Sequence, residues 1–208
     1  MHGPGGGPSV NLDPKRQTIL RHARKAFVSE GYAATKIEPI ARDAGVSTVT
    51  LYTLFDGKAQ LFAAVIEDAA EDFARQMTMG RLLEGDARQQ LTGFAEIYAD
   101  FMSDPFVRSV FRLVMAERPR FQAVARRFFD QGRATFGARL ISLLVALSKA
   151  GSLRPIDQPS WAAGHLMGMV EHPVFFVPLV TGDEITVRRS NAEIVADAVD
   201  TFLARYGA

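Results

Sequence analysis

Between Ile37 and Phe55, two short stretches of helical apolar spacing are separated only by Ala44-Gly45-Val46-Ser47. Ile37, Ile40, Ala41 and Ala44 recur on one face of a 3.6-residue period. Leu51 and Phe55 do the same after the break. Gly45 supplies a left-handed turn without a Cβ penalty, Val46 turns inward, and Ser47 is placed to cap the next helix. A connection this short leaves two helices little choice but to cross steeply, as a helix-turn-helix.

The flanking residues extend the unit. Asp13-Pro14 reads as an N-cap followed by proline at the first helical position. Ile19, Leu20, Ala23, Ala26 and Phe27 give that helix one apolar face, and Gly31 ends it. Thr35-Lys36-Ile37-Glu38 has the form of a capping box for the second helix, with Pro39 tolerated in its first turn. Asp56-Gly57-Lys58 is a break and a new start. The helix after it runs into the late seventies, with Leu61, Phe62, Val65, Ile66 and Phe73 buried. Residues 1–11 are Gly/Pro-rich and read as a disordered tail.

A helix that enters a major groove about 12 Å wide needs small polar side chains outward and apolar anchors inward. Ser47, Thr48, Thr50 and Thr53 supply the outward face. Thr35, Lys36, Tyr52 and Lys58 surround it as phosphate contacts, since helix N-termini favour anions. Residues 13–66 hold eight Lys/Arg and five Asp/Glu, net +3, which leaves −2 for the remainder of a chain of net charge +1. A mildly basic reader on a slightly acidic body is the polarity expected of a DNA-binding module.

Residues 19–66 resemble the DNA-binding domain of the TetR (tetracycline-repressor) family of bacterial regulators. The matching marks include Ala26-Phe27, Gly31-Tyr32, Thr35 and Ile40-Ala41. They continue with Ala44-Gly45-Val46-Ser47, Leu51-Tyr52, Phe55, Lys58 and Leu61-Phe62. The resemblance implies a homodimer on double-stranded DNA, with a helical ligand-binding and dimerisation domain behind the reader. Two departures bear on readout. Thr48 and Val49 stand where the family often has a basic and a small residue, and Leu54 where it often has His or an aromatic. Residues 47–55 therefore contain no Lys or Arg, and bidentate arginine–guanine contacts from this helix are unavailable. Thr hydroxyls, and methyl contacts from Thr48, Val49 and Thr50 to thymine, remain.

The rest of the chain keeps helical periodicity, with helices near 86–103, 105–117, 119–149, 158–170 and 190–206. Ser190-Asn191-Ala192-Glu193 is a capping box for the last, and Gly151 closes the long one. No period-2 strand pattern of any length appears, so the fold class is all-α. Its N-terminal domain is a three-helix helix-turn-helix over 12–58, and a C-terminal ligand-binding and dimerisation bundle spans 59–208. The chain has 15 Phe, many of them in this second half. Most serve as core. Phe101, Phe111 and Phe129, with Met115, are candidates to line a cavity for a small hydrophobic or aromatic ligand. Trp161, His165 and Met169 are candidates on the following helix, where Trp161 and His165 share a face. In the family, the last helix and helix 158–170 form a four-helix dimer interface, and the small residues here fit that role.

His165, Glu171 and His172 lack a fourth ligand, and Pro173 follows directly, so no metal is expected; no cofactor is expected either. With no Cys, disulfides and thiolate sites are excluded. An enzyme would need a nucleophile or acid–base constellation that four His do not supply, and no catalytic residue is assigned. The richest apolar stretch, 165–180, is broken by Glu171, His172, Pro173 and Pro178, so no membrane span is expected. Residues 1–9 show no basic-then-apolar leader, and a cytoplasmic, nucleoid-associated protein is expected. The expected function is a ligand-responsive repressor on a pseudo-palindromic operator. A DNA binder or activator without a ligand, and an enzyme using the aromatic cavity, are the alternatives.

Overall fold

The computed structural model describes residues 14–78, 85–182 and 188–208. The tail expected over 1–11 and the Asp13 cap lie outside them. Among the described residues the chain is helical, with one isolated β-bridge between Leu153 and Gly207. It forms two compact units, residues 1–68 and 69–208. The division falls inside a helix rather than at 58.

The first unit contains α1 (Pro14–Ala34), α2 (Ile37–Asp43), α3 (Thr48–Leu54) and the first half of α4 (Lys58–Thr78). Ile19, Leu20, Ala23 and Phe27 are buried along α1, as its spacing predicts. Gly31 breaks α1 with φ 76° and ψ 166°. The Phe27, Tyr32 and Phe62 rings then close a triad with centroids 5.2–5.9 Å apart. Arg24 and Asp68 form an ion pair between α1 and α4 whose side chains are only 12% and 10% exposed.

The expected capping box at Thr35 does not form. Lys36 occupies the N-cap of α2 without a side-chain bond. Thr35 is 2% exposed and donates its hydroxyl to the Gly31 carbonyl at 2.7 Å and the Ala26 carbonyl at 3.3 Å. The Thr35 amide also returns to the Gly31 carbonyl, at 3.3 Å, so backbone and side chain of Thr35 together close the end of α1.

The second unit contains the rest of α4 and α5 (Ala87–Ser103), α6 (Pro105–Glu117), α7 (Gln122–Gly132), α8 (Ala138–Lys149), α9 (Pro159–Glu171), α10 (Val177–Thr181) and α11 (Asn191–Tyr206). Asp86 with Gln89, and Ser190 with Glu193, are full capping boxes. Asp104 caps α6 ahead of Pro105. Each of these starts is set by local side-chain bonds.

Two π-turns interrupt the ladder. Arg133–Gly137 joins α7 to α8, within the stretch expected as one helix over 119–149. His172–Phe176 joins α9 to α10, so helical structure continues past the expected end near 170. Proline cannot donate to the ladder and its ring crowds the carbonyl four residues back. Pro173 falls in the first turn of the π segment, where the Val177 amide returns to the His172 carbonyl, five residues away. Pro159–Thr181 forms one helix of 23 residues, within which an 18-residue stretch has mean hydropathy 1.2. By length and composition it meets the requirement for a membrane span, contrary to the expected interruption. Here it packs against α5, α8 and α11, with Ala162, Ala163, Leu166 and Val170 buried.

Arg108 braces the second π-turn. Its buried guanidinium donates to the carbonyls of Met102 and Ser103 at the C-terminus of α5, and to that of Val174. A cation at a helix C-terminus meets the negative end of the dipole.

Candidate DNA-reading face and ligand cavity

The turn between α2 and α3 has the expected geometry. Gly45 sits at φ 68°, and the amides of Gly45 and Val46 return to the carbonyls of Arg42 and Ala41. The Ser47 hydroxyl accepts the Thr50 amide at 3.0 Å and lies 2.9 Å from the Thr50 hydroxyl. Leu51 and Phe55 are buried. Val46 is half-buried rather than a full core plug.

The opposite face of α3 is open. Val49 is 73% exposed and Tyr52 50%, one turn apart. Thr48 and Thr50 are half-buried beside them, and Thr53 spends its hydroxyl on the Val49 carbonyl. An exposed valine and tyrosine on a helix with no charged side chain is apolar surface that packing does not explain.

The surrounding candidates divide. Lys36 is exposed at the start of α2. Lys58 is half-buried, donates to the Ala33 carbonyl at 2.9 Å, and lies 4.7 Å above the Tyr32 ring centre. It ties α4 to the end of α1 while keeping further N–H donors. Thr35 is a correction: its buried hydroxyl is engaged by its own chain and is not presented to a phosphate.

The second unit holds a cavity of about 290 Å³, near the lower end of small-molecule sites. Phe101, Phe111 and Phe129 line it, as the sequence predicts. Met115, Trp161, His165 and Met169 do not. Trp161 is 67% exposed on the outer face of α9, and Met115 is 53% exposed on α6. His165 turns to α11, with Nδ1 3.0 Å from the Tyr206 hydroxyl. Helical spacing identified a face of α9 but not which neighbour that face meets.

Phe73 and Tyr98 also line the cavity and carried no signal of it in the sequence, and Phe128, Phe136 and Met167 line it without having been singled out from the other phenylalanines and methionines. The rings meet edge to face, Phe73 on Phe101 at 5.0 Å and Phe111 on Phe128 at 4.9 Å. Among the described lining residues the only charged ones are Arg133 and Glu171. Arg133 is exposed and lies 6.0 Å over the Phe129 ring. Glu171 accepts a hydrogen bond from the Tyr98 hydroxyl at 2.7 Å. Burial, then the Glu171 charge and this bond, push the Tyr98 hydroxyl far above its ordinary value. One acid in the otherwise apolar helix 159–181 was the available signal for Glu171.

Comparison with known proteins agrees with this geometry. Residues 19–65 match the model of bacterial regulatory proteins of the tetR family. Residues 89–208 match that of the C-terminal domain of AefR-like transcriptional repressors. The chain belongs to the TetR family. Among its TetR-family relatives, the transcriptional activator FasR of Mycolicibacterium smegmatis is 28% identical over 183 residues, covering 76% of this chain and 82% of that protein. A TetR-family regulator from Mesorhizobium loti superposes with a TM-score of 0.79 at 29% identity, over 93% of this chain and 97% of that one. The flavonoid-responsive regulator FrrA gives 0.74 at 27% identity, again over 93% and 97%. The protein is therefore a TetR-family transcription regulator with a DNA-binding domain.

Proposed function

We propose that the protein is a homodimeric repressor released from a pseudo-palindromic operator by a small apolar ligand held in the second unit's cavity. The observation that carries this reading is the aromatic cavity itself, in a chain whose other unit exposes Val49 and Tyr52 on a recognition helix. Thr48, Val49, Thr50 and Tyr52 read bases, with Ser47 holding the helix start. Lys36 and Lys58 supply phosphate affinity, which weakens with salt. Trp161, Phe176 and Val180 lie exposed along helix 159–181, and burying them against a second copy accounts for its length of apolar surface. Two copies present α3 to half-sites about 34–36 Å apart or a multiple of that. The ligand acts by its differential affinity for the DNA-bound and free conformations.

Repression is supported by the AefR-like C-terminal match, and activation by the likeness to FasR. The test is selection of bound sequences from a genomic DNA pool at stated salt, followed by a reporter carrying the enriched site. An inverted repeat whose reporter rises when the gene is deleted supports the proposal. A reporter that falls assigns activation. Absence of any enriched repeat from a folded dimer overturns specific reading by α3.

A further inference from the structure

We propose that the cavity recognises an aromatic ligand through a phenolic hydroxyl donated to the Glu171 carboxylate, beside the point where Tyr98 donates its own. This rests on the reading of the cavity as the ligand site. A carboxylate only accepts hydrogen bonds, and it has room for about four. Tyr98 occupies one of those positions. Where Glu171 lines the cavity, it therefore asks the occupant for a donor.

Two features favour a neutral donor over a cation. The described lining residues carry one acid, Glu171, and one base, the exposed Arg133, which repels an entering ammonium group as Glu171 attracts it. Carrying a charge into walls of phenyl rings also costs its hydration, whereas an O–H group enters uncharged. Tyr98 is the precedent within the chain: a phenol bonded to Glu171 at 2.7 Å, with the Phe136 ring 5.2 Å away and tilted by 64°. The surroundings that hold the Tyr98 proton in place hold that of a neighbouring phenol by the same desolvation and the same negative charge. Rings that meet edge to face in the wall, Phe73 on Phe101 and Phe111 on Phe128, offer the same contact to an aromatic body.

The test is calorimetry of the full-length protein with four probes sharing a biphenyl body: 4-phenylphenol, its methyl ether, the 4-carboxylate and the 4-methylammonium. The expected result is phenol binding about tenfold tighter than ether. In Glu171→Gln that ratio falls to about threefold or less, because a neutral amide is a weaker acceptor than a carboxylate. Equal binding of phenol and ether overturns the proposal and leaves the cavity reading intact. A tightest ammonium or carboxylate overturns it in favour of charge recognition, and no binding by any probe overturns both readings. A second measurement needs only the wild-type protein. A nitrophenol titrated near its own pKa loses its yellow phenolate band on binding if it is held protonated, and a strengthened band overturns the proposal.

Discussion

Val49 stands 73% exposed on α3, while Phe136, no less apolar, is buried in the wall of the second unit's cavity. The first unit makes its candidate site by withholding an apolar side chain from the core. The second makes its site by surrounding a space with such side chains. A reading face needs a rigid helix and an open outer surface, which one capped turn provides. A cavity needs five or more elements to agree on where not to fill. Local bonds therefore specify the first site, and long-range packing the second.

Substitutions can break this contrast, and the largest effect is expected at the ion pair between α1 and α4 in the first unit. Asp68→Ala removes the Asp68 carboxylate from the partly buried Arg24 and should cost about 3 kcal/mol in denaturant unfolding of the first unit. Arg24→Met combined with Asp68→Leu should recover most of that loss. Next comes a pair on α3 itself. Leu51→Ala should cost about 2–5 kcal/mol of stability. Val49→Ala should change stability by no more than about 0.5 kcal/mol while weakening operator binding about tenfold. Comparable stability losses at both positions would show that Val49 belongs to the core.

In the second unit, Tyr98→Phe strips Glu171 of its phenol and should cost about 1–3 kcal/mol. Its pH signature is more telling. The folded state holds the Tyr98 proton more tightly than the unfolded chain does. This contribution is complete below the ordinary value of 10.0 and is lost as pH rises past it. Wild type should therefore lose stability at alkaline pH more steeply than Tyr98→Phe, in unfolding measured across that range. The smallest effect is expected at Ser190→Ala, about 1 kcal/mol, from loss of the cap on α11.

Much of the first unit was legible in the sequence because its determinants lie within a few residues of one another. Gly45 needs a positive φ, Ser47 reaches an amide three residues on, and Leu51 follows one turn later. The same holds for α11, where Ser190 and Glu193 satisfy each other. Thr35 misled because a threonine three residues before a glutamate caps a helix only if no nearer acceptor competes. Gly31 and Ala26 offered their carbonyls. In the second unit Phe101, Phe111 and Phe129 were found, and Trp161, His165 and Met169 misplaced, because periodicity identifies a face without identifying its neighbour.

The sequence alone determined the all-helical class, the helix-turn-helix, the caps at Ser47 and Ser190 and the absence of charge on α3, each through residues a few positions apart. The tertiary structure alone decided the inward turn of Thr35, the π-turns, the unbroken helix through Pro173 and the meeting of Tyr98 with Glu171 across 73 residues. The physical reason is range. A cap bond is settled within one helical turn, whereas a cavity and its single acceptor exist only after distant helices have chosen partners and the ladder has yielded where packing required it.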